Sequence, residues 1–215
     1  VRAFIGVILM VIVIAIVMVI VLVVGGGLAR ADDGFSLSLR GGGFVRDDRG
    51  YGDHAAAFGF GDPQLGGGGV VEAGVRVGPR LWVLTSWTGF SSLGARGESE
   101  LQVRQQTLLA QLAFTVYRRA FAFELEDEGE EAIALDLAAV TGGGVTFLSD
   151  DLDGAGSSER GAIGRSGAQL RVSWRAVGLD LAYGWHYSRV SVRDRLGGEL
   201  GAGGHEISAG LSLAW

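Results

Sequence analysis

The segment Gly204-His205-Glu206-Ile207-Ser208-Ala209-Gly210-Leu211-Ser212-Leu213-Ala214-Trp215 decides the fold of this 215-residue chain. Its apolar residues alternate with small or polar ones, and a period of two predicts a β-strand with one apolar face. The opposite face is too small and polar for an ordinary solvent-exposed face, but it suits a narrow lumen. The apolar members are Ile207, Ala209, Leu211, Leu213 and Trp215.

Seven earlier segments show the same alternation, and no helical period is apparent after residue 31. Most of these segments have the ~9–11 residues that a tilted transmembrane strand needs. In hydrocarbon every backbone N–H and C=O must be bonded within the protein, so an all-β span has to close. We therefore predict an all-β fold, an eight-stranded antiparallel up-and-down transmembrane β-barrel over residues 32–215. The seven segments are about 34–44, 70–78, 81–90, 101–117, 132–147, 166–174 and 178–188.

The connections between these strands alternate in length. Gly78-Pro79-Arg80 and Arg175-Ala176-Val177 are tight, whereas the long polar segments predict outer loops. Short periplasmic turns, long outer loops and an even strand count place both termini in the periplasm. The sequence predicts that Arg118–Glu131 forms a long hairpin that protrudes into the periplasm. The alternative, a ten-stranded barrel, would need one extra strand in this segment and another at Ala55–Gly61. The predicted outer loops are 45–69, 90–100, 148–165 and 189–203.

Aromatic residues gather near the strand ends, where interfacial girdles are expected. They are Phe35, Phe44, Trp87, Phe90, Tyr117, Phe147, Trp174, Trp185, Tyr187 and Trp215.

The first 31 residues predict a cleaved signal peptide. Arg2 precedes the apolar run 3–24, and Ala29-Arg30-Ala31 forms a small-residue cleavage site. The run is long enough for the alternative, a retained membrane anchor.

Charge and composition narrow the possible partners. The net charge is −6, from 18 basic and 24 acidic residues, and removal of Arg2 and Arg30 makes it −8 (16 against 24). Such an acidic chain is a poor nucleic-acid binder. It has no cysteine, which excludes disulfides and thiolate metal sites. We predict no metal and no cofactor.

The segment His205–Trp215 resembles the C-terminal assembly signal of bacterial outer-membrane barrels, in which alternating apolar residues end in an aromatic one. The mature chain as a whole resembles the small eight-stranded class, similar to the OmpA transmembrane domain and OmpX. The resemblance implies the bacterial outer membrane as location, contact with its lipid and lipopolysaccharide, and the barrel-assembly machinery as a partner during biogenesis. It also implies a monomer.

The inward positions of the predicted strands carry a set of charges. We interpret them as a structural network of ion pairs that closes the lumen, because unpaired charges in a narrow lumen are costly. The alternative is a gate or a small passive pore for ions or small solutes. The set comprises Arg40, Glu72, Arg76, Asp136, Arg171, Asp180, His186 and Glu206.

His186, Ser188 and Glu206 resemble the His-x-Ser plus Glu arrangement of lipid A 3-O-deacylases, in which a histidine base would activate the serine. That family has Asn after the serine, whereas Arg189 stands here. Its catalytic residues also face lipid, while the parity of Tyr183, Trp185 and Tyr187 turns His186 and Ser188 inward. We therefore predict a non-enzymatic barrel with a structural or surface-interaction role, ahead of the pore and the deacylase.

Overall fold

The alternating segments fold as long antiparallel strands joined mostly by tight hairpins. The computed structural model describes residues 34–47, 49–60, 65–97, 99–125, 129–193 and 199–214. Phe35–Ala214 forms one compact unit. The elements are β1 (Phe35–Arg46), α1 (Arg49–Ala57), β2 (Leu65–Arg76), β3 (Leu81–Arg96), β4 (Ser99–Leu125), β5 (Gly129–Leu152), β6 (Ala155–Trp174), β7 (Val177–Ser188), β8 (Ser191–Arg193), β9 (Glu199–Gly201) and β10 (Gly204–Ala214).

Eight of these strands close into a barrel, with the order β1-β10-β7-β6-β5-β4-β3-β2 and β2 returning to β1. Every pair in the ring is antiparallel, so the predicted eight-stranded up-and-down barrel is confirmed. The terminal strand closes the ring, since Leu37 pairs with Leu213. Strands β8 and β9 pair only with each other, as a small ribbon outside the ring. The predicted signal peptide and Trp215 lie outside the described residues.

The two ends of the barrel differ. Phe35, Ala214 and the tight turns at 77–80 and 175–176 lie at one end, which we call the terminal end. The other end, called the cap end, carries α1, the β8–β9 ribbon and the outer parts of the long hairpins.

The segments 90–100 and 148–165 are not long loops, and this part of the prediction was wrong. β3 and β4 stay paired as far as Arg96 with Ser99, and β5 and β6 as far as Leu152 with Ala155. The β5–β6 turn is made by Asp153 and Gly154, both with positive φ. In these hairpin ends the outward face is polar, as at Ser149 and Asp151, whereas inward Leu101, Val103 and Leu148 are buried, so the alternation with apolar residues outward is lost although the pairing continues.

A helix also appears where none was expected. Residues 49–57 form α1, so Ala55–Gly61, the extra strand of the ten-stranded alternative, is helical as far as Ala57. The predicted long hairpin at Arg118–Glu131 is confirmed, because β4 and β5 remain paired to Leu125 and Gly129. Within the described ranges, no helix is long and apolar enough to cross a bilayer.

The barrel presents its apolar side chains outward. Leu39, Ile207 and Leu211 are each at least 60% exposed, as expected for a surface that lipid covers rather than a protein core. Among the girdle residues that the structure describes, two depart from the prediction. Phe44 and Phe90 are buried inside the barrel, because Phe44 lies nine positions after outward-facing Phe35 and therefore has the opposite parity.

Glycine at inward positions permits the close curvature of a narrow barrel. A Cβ at Gly68 would lie 1.9 Å from the carbonyl oxygen of Gly89, and one at Gly144 would lie equally close to that of Leu108. Outward-facing Gly67 has no atom within 4 Å of the same position. Glycine is thus a steric requirement on the inward face at these points.

Candidate functional site

The lumen is crossed by polar side chains in two layers. The layer nearer the terminal end is centred on Arg40 and Asp180. Arg40 donates to both carboxylate oxygens of Glu72, at 3.2 and 3.0 Å, and its Nη1 lies 3.8 Å from Asp180 Oδ2. Arg171 makes a two-pronged contact with Asp180, at 2.7 and 3.0 Å. Gln169 Nε2 donates to Glu72 at 3.3 Å and to Asp180 at 3.2 Å, which joins the two carboxylates. We call these five residues the lower layer.

The upper layer runs across the barrel from β3 to β7. Ser86 Oγ accepts a hydrogen bond from Gln111 Nε2 at 2.7 Å, and Gln111 Oε1 accepts one from Arg165 Nη1 at 2.8 Å. Arg165 Nη2 lies 3.3 Å from Glu206 Oε1, whose other oxygen lies 2.9 Å from His186 Nε2. These five residues come from five different strands, so the chain of contacts crosses the lumen.

Above the upper layer the lumen becomes aromatic. The rings of Phe44 and Phe90 stack with centroids 5.2 Å apart, and the edge of His186 meets Phe44 at 5.5 Å. Beyond them Arg46 donates to Gln105 Oε1 at 2.6 Å.

The cap end has an apolar core of its own. It combines inward side chains of β4 and β5 with residues of α1, the segment after it, β8 and β9, and all are buried. We call α1, the β8–β9 ribbon and the outer parts of the long hairpins the cap. Gln105 Nε2 ties the barrel to the cap through the carbonyl of Ala202, at 3.0 Å. The cap is a packed structure that covers the mouth of the lumen. Its core comprises Ala55, Phe60, Leu101, Val103, Leu148, Val192, Leu200 and Ala202.

The charges of the two layers balance. Arg40, Arg165 and Arg171 face Glu72, Asp180 and Glu206, each in an ion pair. Such pairing is what makes buried charge tolerable, because an isolated ion would lose its hydration without compensation. Serine hydroxyls supply further hydrogen bonds to two of the carboxylates: Ser208 donates to Glu206 at 2.9 Å, and Ser212 donates to Asp180 at 3.1 Å.

Six of the eight predicted lumenal charges lie in these layers, and two lie elsewhere. Arg76 turns back to the carbonyls of Gly78 and Pro79, at 3.1 and 2.8 Å. Asp136 pairs with Arg118 at the rim of the terminal end, at 2.6 and 3.0 Å. Residues at the rim of the barrel point to the same face of their strand as residues inside the lumen, so alternation in the sequence does not distinguish a rim residue from a lumenal one.

Arg165 and Gln111 were not among the residues predicted to lie in the lumen. Arg165 falls in the segment assigned to a loop, although it continues the inward parity of Gln169 and Arg171. Gln111 lies inside predicted strand 4, on the face opposite its outward apolar residues. Extending the inward parity along each strand would have found both.

The deacylase-like arrangement is not assembled. His186 faces the lumen and binds Glu206, whereas Ser188 Oγ donates to the carbonyl of Ala162 at 2.9 Å and accepts from the N–H of Val190 at 3.0 Å. The serine hydroxyl is therefore directed away from the histidine that would have to activate it.

The apolar residues of the assembly signal lie along one face of β10. Ile207 and Leu211 are about 60% exposed, Leu213 is half-exposed, and Ala209 shares their outward parity. In the described part of the chain, no group of three or more His, Asp or Glu side chains is placed to hold a metal ion.

No protein-family model and no curated protein matches the sequence. Solved structures do resemble it. Ail, the attachment invasion locus protein of Yersinia pestis, is 13% identical, with a TM-score of 0.49, over 84% of this chain and 99% of that chain. Neisserial surface protein A is 15% identical, with a TM-score of 0.47, over 85% and 97%. The N-terminal β-barrel domain of Pseudomonas aeruginosa OprF is 10% identical, with a TM-score of 0.41, over 85% and 98%.

Likeness at such low identity concerns the fold alone. The strand order of this chain, a closed ring of eight antiparallel strands with an apolar exterior, is itself the architecture of the small outer-membrane β-barrels. The predicted resemblance is confirmed at this level.

Proposed function

We propose that the protein is an integral outer-membrane barrel with a closed lumen, whose cap serves as an interaction surface outside the cell. The observation that carries the proposal is the continuous filling of the lumen from the lower layer to the cap. Lipid covers the apolar exterior, and the terminal end faces the periplasm.

Three kinds of contact support closure over the passive-pore alternative. The lower layer pairs two carboxylates with two arginines, the upper layer links five strands, and the aromatic pair lies directly above. An eight-stranded barrel is just wide enough for its inward side chains to fill it. Opening a path would break buried ion pairs and cost each charge the partner that compensates its burial.

The cap supports the interaction role. Anchoring needs no structure above the membrane, yet these hairpins continue as paired strands and enclose an apolar core with α1 and the β8–β9 ribbon. A packed core gives the outer surface a defined shape, which lowers the entropy lost when a partner binds. Function in this fold resides in such grafted surfaces rather than in the barrel.

Planar-bilayer recording of the refolded protein tests closure. We expect no discrete conductance steps from the wild type. The double variant Arg165→Ala, Glu206→Ala, which empties the centre of the upper layer without leaving an unpaired charge, should also stay closed, because the lower layer, the Phe44–Phe90 pair and the cap still block the lumen. Regular steps from the wild type would favour the pore instead.

Adhesion of bacteria that display the protein tests the interaction role. Cells with the wild-type cap should bind protein-coated or polysaccharide-coated surfaces more strongly than cells with Val192→Asp, which places a charge in the apolar core of the cap. Equal adhesion by wild-type cells and by cells lacking the protein, on every coating, would contradict the proposal.

A further inference from the structure

The β4–β5 hairpin continues well past the rim of the barrel at the terminal end. The last β3–β4 pair is Leu81 with Phe114, followed by one hydrogen bond from the N–H of Thr115 to the carbonyl of Arg80. β4 nevertheless runs on to Leu125 and stays paired with β5 throughout. We call the projecting part, 116–125 with 129–135, the ribbon; it is distinct from the β8–β9 ribbon at the cap end. Ten residues of strand extend about 33 Å.

The two edges of the ribbon differ. On the β5 side, β6 reaches Ile133, and Glu131 accepts hydrogen bonds from Trp174 at 3.1 Å and from Arg175 at 2.7 Å. On the β4 side, 116–125 has no backbone partner among the described residues. One edge is therefore partly covered by side chains, and the other is open.

Alternation identifies the groups along the open edge. Thr115 faces inward and its N–H points toward β3. The register shift at Thr115 and Tyr117 transfers the inward face to Arg118, Ala120 and Ala122. In an antiparallel strand one residue directs both its N–H and its C=O to the same side. Ala120 and Ala122 thus present paired donors and acceptors to the open edge.

Natural edge strands are commonly blunted by proline, charged side chains, bulges or short length. This edge is long and has no proline; its bulge lies at the base, at Thr115 and Tyr117, and beyond Arg118 its central residues are Ala120 and Ala122. On the opposite face Phe121 and Tyr117 are nearly half-exposed, and the Arg119 guanidinium lies 4.9 Å from the centre of the Phe121 ring. A two-stranded ribbon in water is marginally stable, and a third strand is what stabilises it.

Charge indicates the chemistry of that third strand. The ribbon and its turn, 116–135, carry six acidic residues, all between Glu124 and Glu131, against Arg118 and Arg119, which leaves a net charge of −4 (six acids against two bases). An approaching acidic segment, or a second acidic ribbon, would be repelled, whereas a basic segment would be attracted. We propose that the open edge of β4, Val116–Leu125, binds an extended basic segment of a periplasmic protein, which adds to the ribbon as a third strand. The periplasmic location rests on the proposed function; the edge geometry does not.

Peptide binding to the refolded full chain in detergent tests the edge directly. The probes are fluorescent peptides about nine residues long, one alternating Lys and Val, one alternating Glu and Val, and one alternating Lys and Pro. The Lys–Val peptide should bind about tenfold more tightly than either of the others. Equal binding of the Lys–Pro peptide would show attraction by charge alone and would overturn strand addition.

Two proline variants form a matched pair. Ala122→Pro removes an N–H from the open edge and should weaken binding of the Lys–Val peptide about tenfold. Ala132, its partner across the ribbon, directs its N–H to the β5 edge, so Ala132→Pro should bind like the wild type. Equal effects of the two variants would overturn the proposal. If a proline variant does not fold, Glu124→Lys with Glu130→Lys serves instead and should reduce the preference for the basic peptide.

Two further outcomes separate this inference from its premises. A dimer in solution that Ala122→Pro dissolves would mean that a second copy occupies the edge, against the proposal. Because the chain has no native cysteine, Ala122→Cys can be labelled uniquely. Labelling of this cysteine in intact cells by a maleimide that cannot cross the outer membrane would contradict the periplasmic location. Whether the edge binds an added strand would still be decided by the peptide measurements.

Discussion

His186 Nε2 lies 2.9 Å from Glu206 Oε2, and neither side chain reaches solvent. Because Glu206 also pairs with Arg165, this carboxylate holds together three strands of the upper layer, β6, β7 and β10.

Glu206→Gln should destabilise the folded barrel by about 3–5 kcal/mol, since it leaves the Arg165 guanidinium buried without its counter-charge. Urea unfolding in detergent, followed by tryptophan fluorescence, measures the free energy of unfolding. The control is Asp136→Asn in the partly exposed rim pair with Arg118, for which we expect at most about 1 kcal/mol. Equal losses in the two variants would contradict the role given to the buried layer.

Gly68→Ala and Gly67→Ala test the steric role of inward glycine. The added methyl group at Gly68 meets the Gly89 carbonyl, which should cost about 1–3 kcal/mol, whereas the one at Gly67 enters open space. The measurement is the fraction of refolded protein that shows the heat-modifiable migration of a folded barrel. Similar behaviour of the two neighbours would mean that the backbone relaxes freely at this point.

Leu200→Asp should open the cap and leave the barrel folded, because an unpaired charge cannot remain in the apolar core. Limited proteolysis should then cut within 189–203 much faster than in the wild type, while heat-modifiable migration persists. Ser191→Ala, which removes only an exposed hydrogen bond to Glu199, should retain the wild-type cutting rate. Unchanged proteolysis of Leu200→Asp would argue that the cap is not held by that core.

Hydrogen bonds from Arg175 hold the pKa of the Glu131 carboxyl below its ordinary value, with a further contribution from Trp174. A carboxyl with a lowered pKa in the folded state adds stability above its unfolded-state pKa and loses it as the pH falls through the folded-state value. NMR titration should find this lowered pKa, and Arg175→Gln should return it toward the ordinary range. Arg118→Gln, which removes a different rim cation, should leave it unchanged. A pKa insensitive to Arg175→Gln would show that the contact does not persist in solution.

Most of the barrel could be predicted because alternation is local. Ile207, Leu211 and Leu213 show by sequence alone that β10 has a lipid-facing side. The same alternation, with Tyr183 and Trp185 facing outward, predicts that His186 faces inward. The number of barrel strands and the long β4–β5 hairpin followed in the same way. The pattern failed in 148–165, where the outward face is polar and buried Leu148 and Ile163 lie on the inward face, because the apolar-outward alternation that marks a lipid-facing strand is lost there.

The sequence by itself determined the face of most strand residues, because the period of a strand alternates its side chains between the lumen and the exterior. Only the tertiary structure decided which of them meet. Arg165 reaches Glu206 and Arg40 reaches Glu72 and Asp180 because the stagger of strands around the closed ring sets their heights. The same stagger leaves Arg76 and Asp136 at the rim. That stagger belongs to the backbone pairing of the whole ring, and no single strand encodes it.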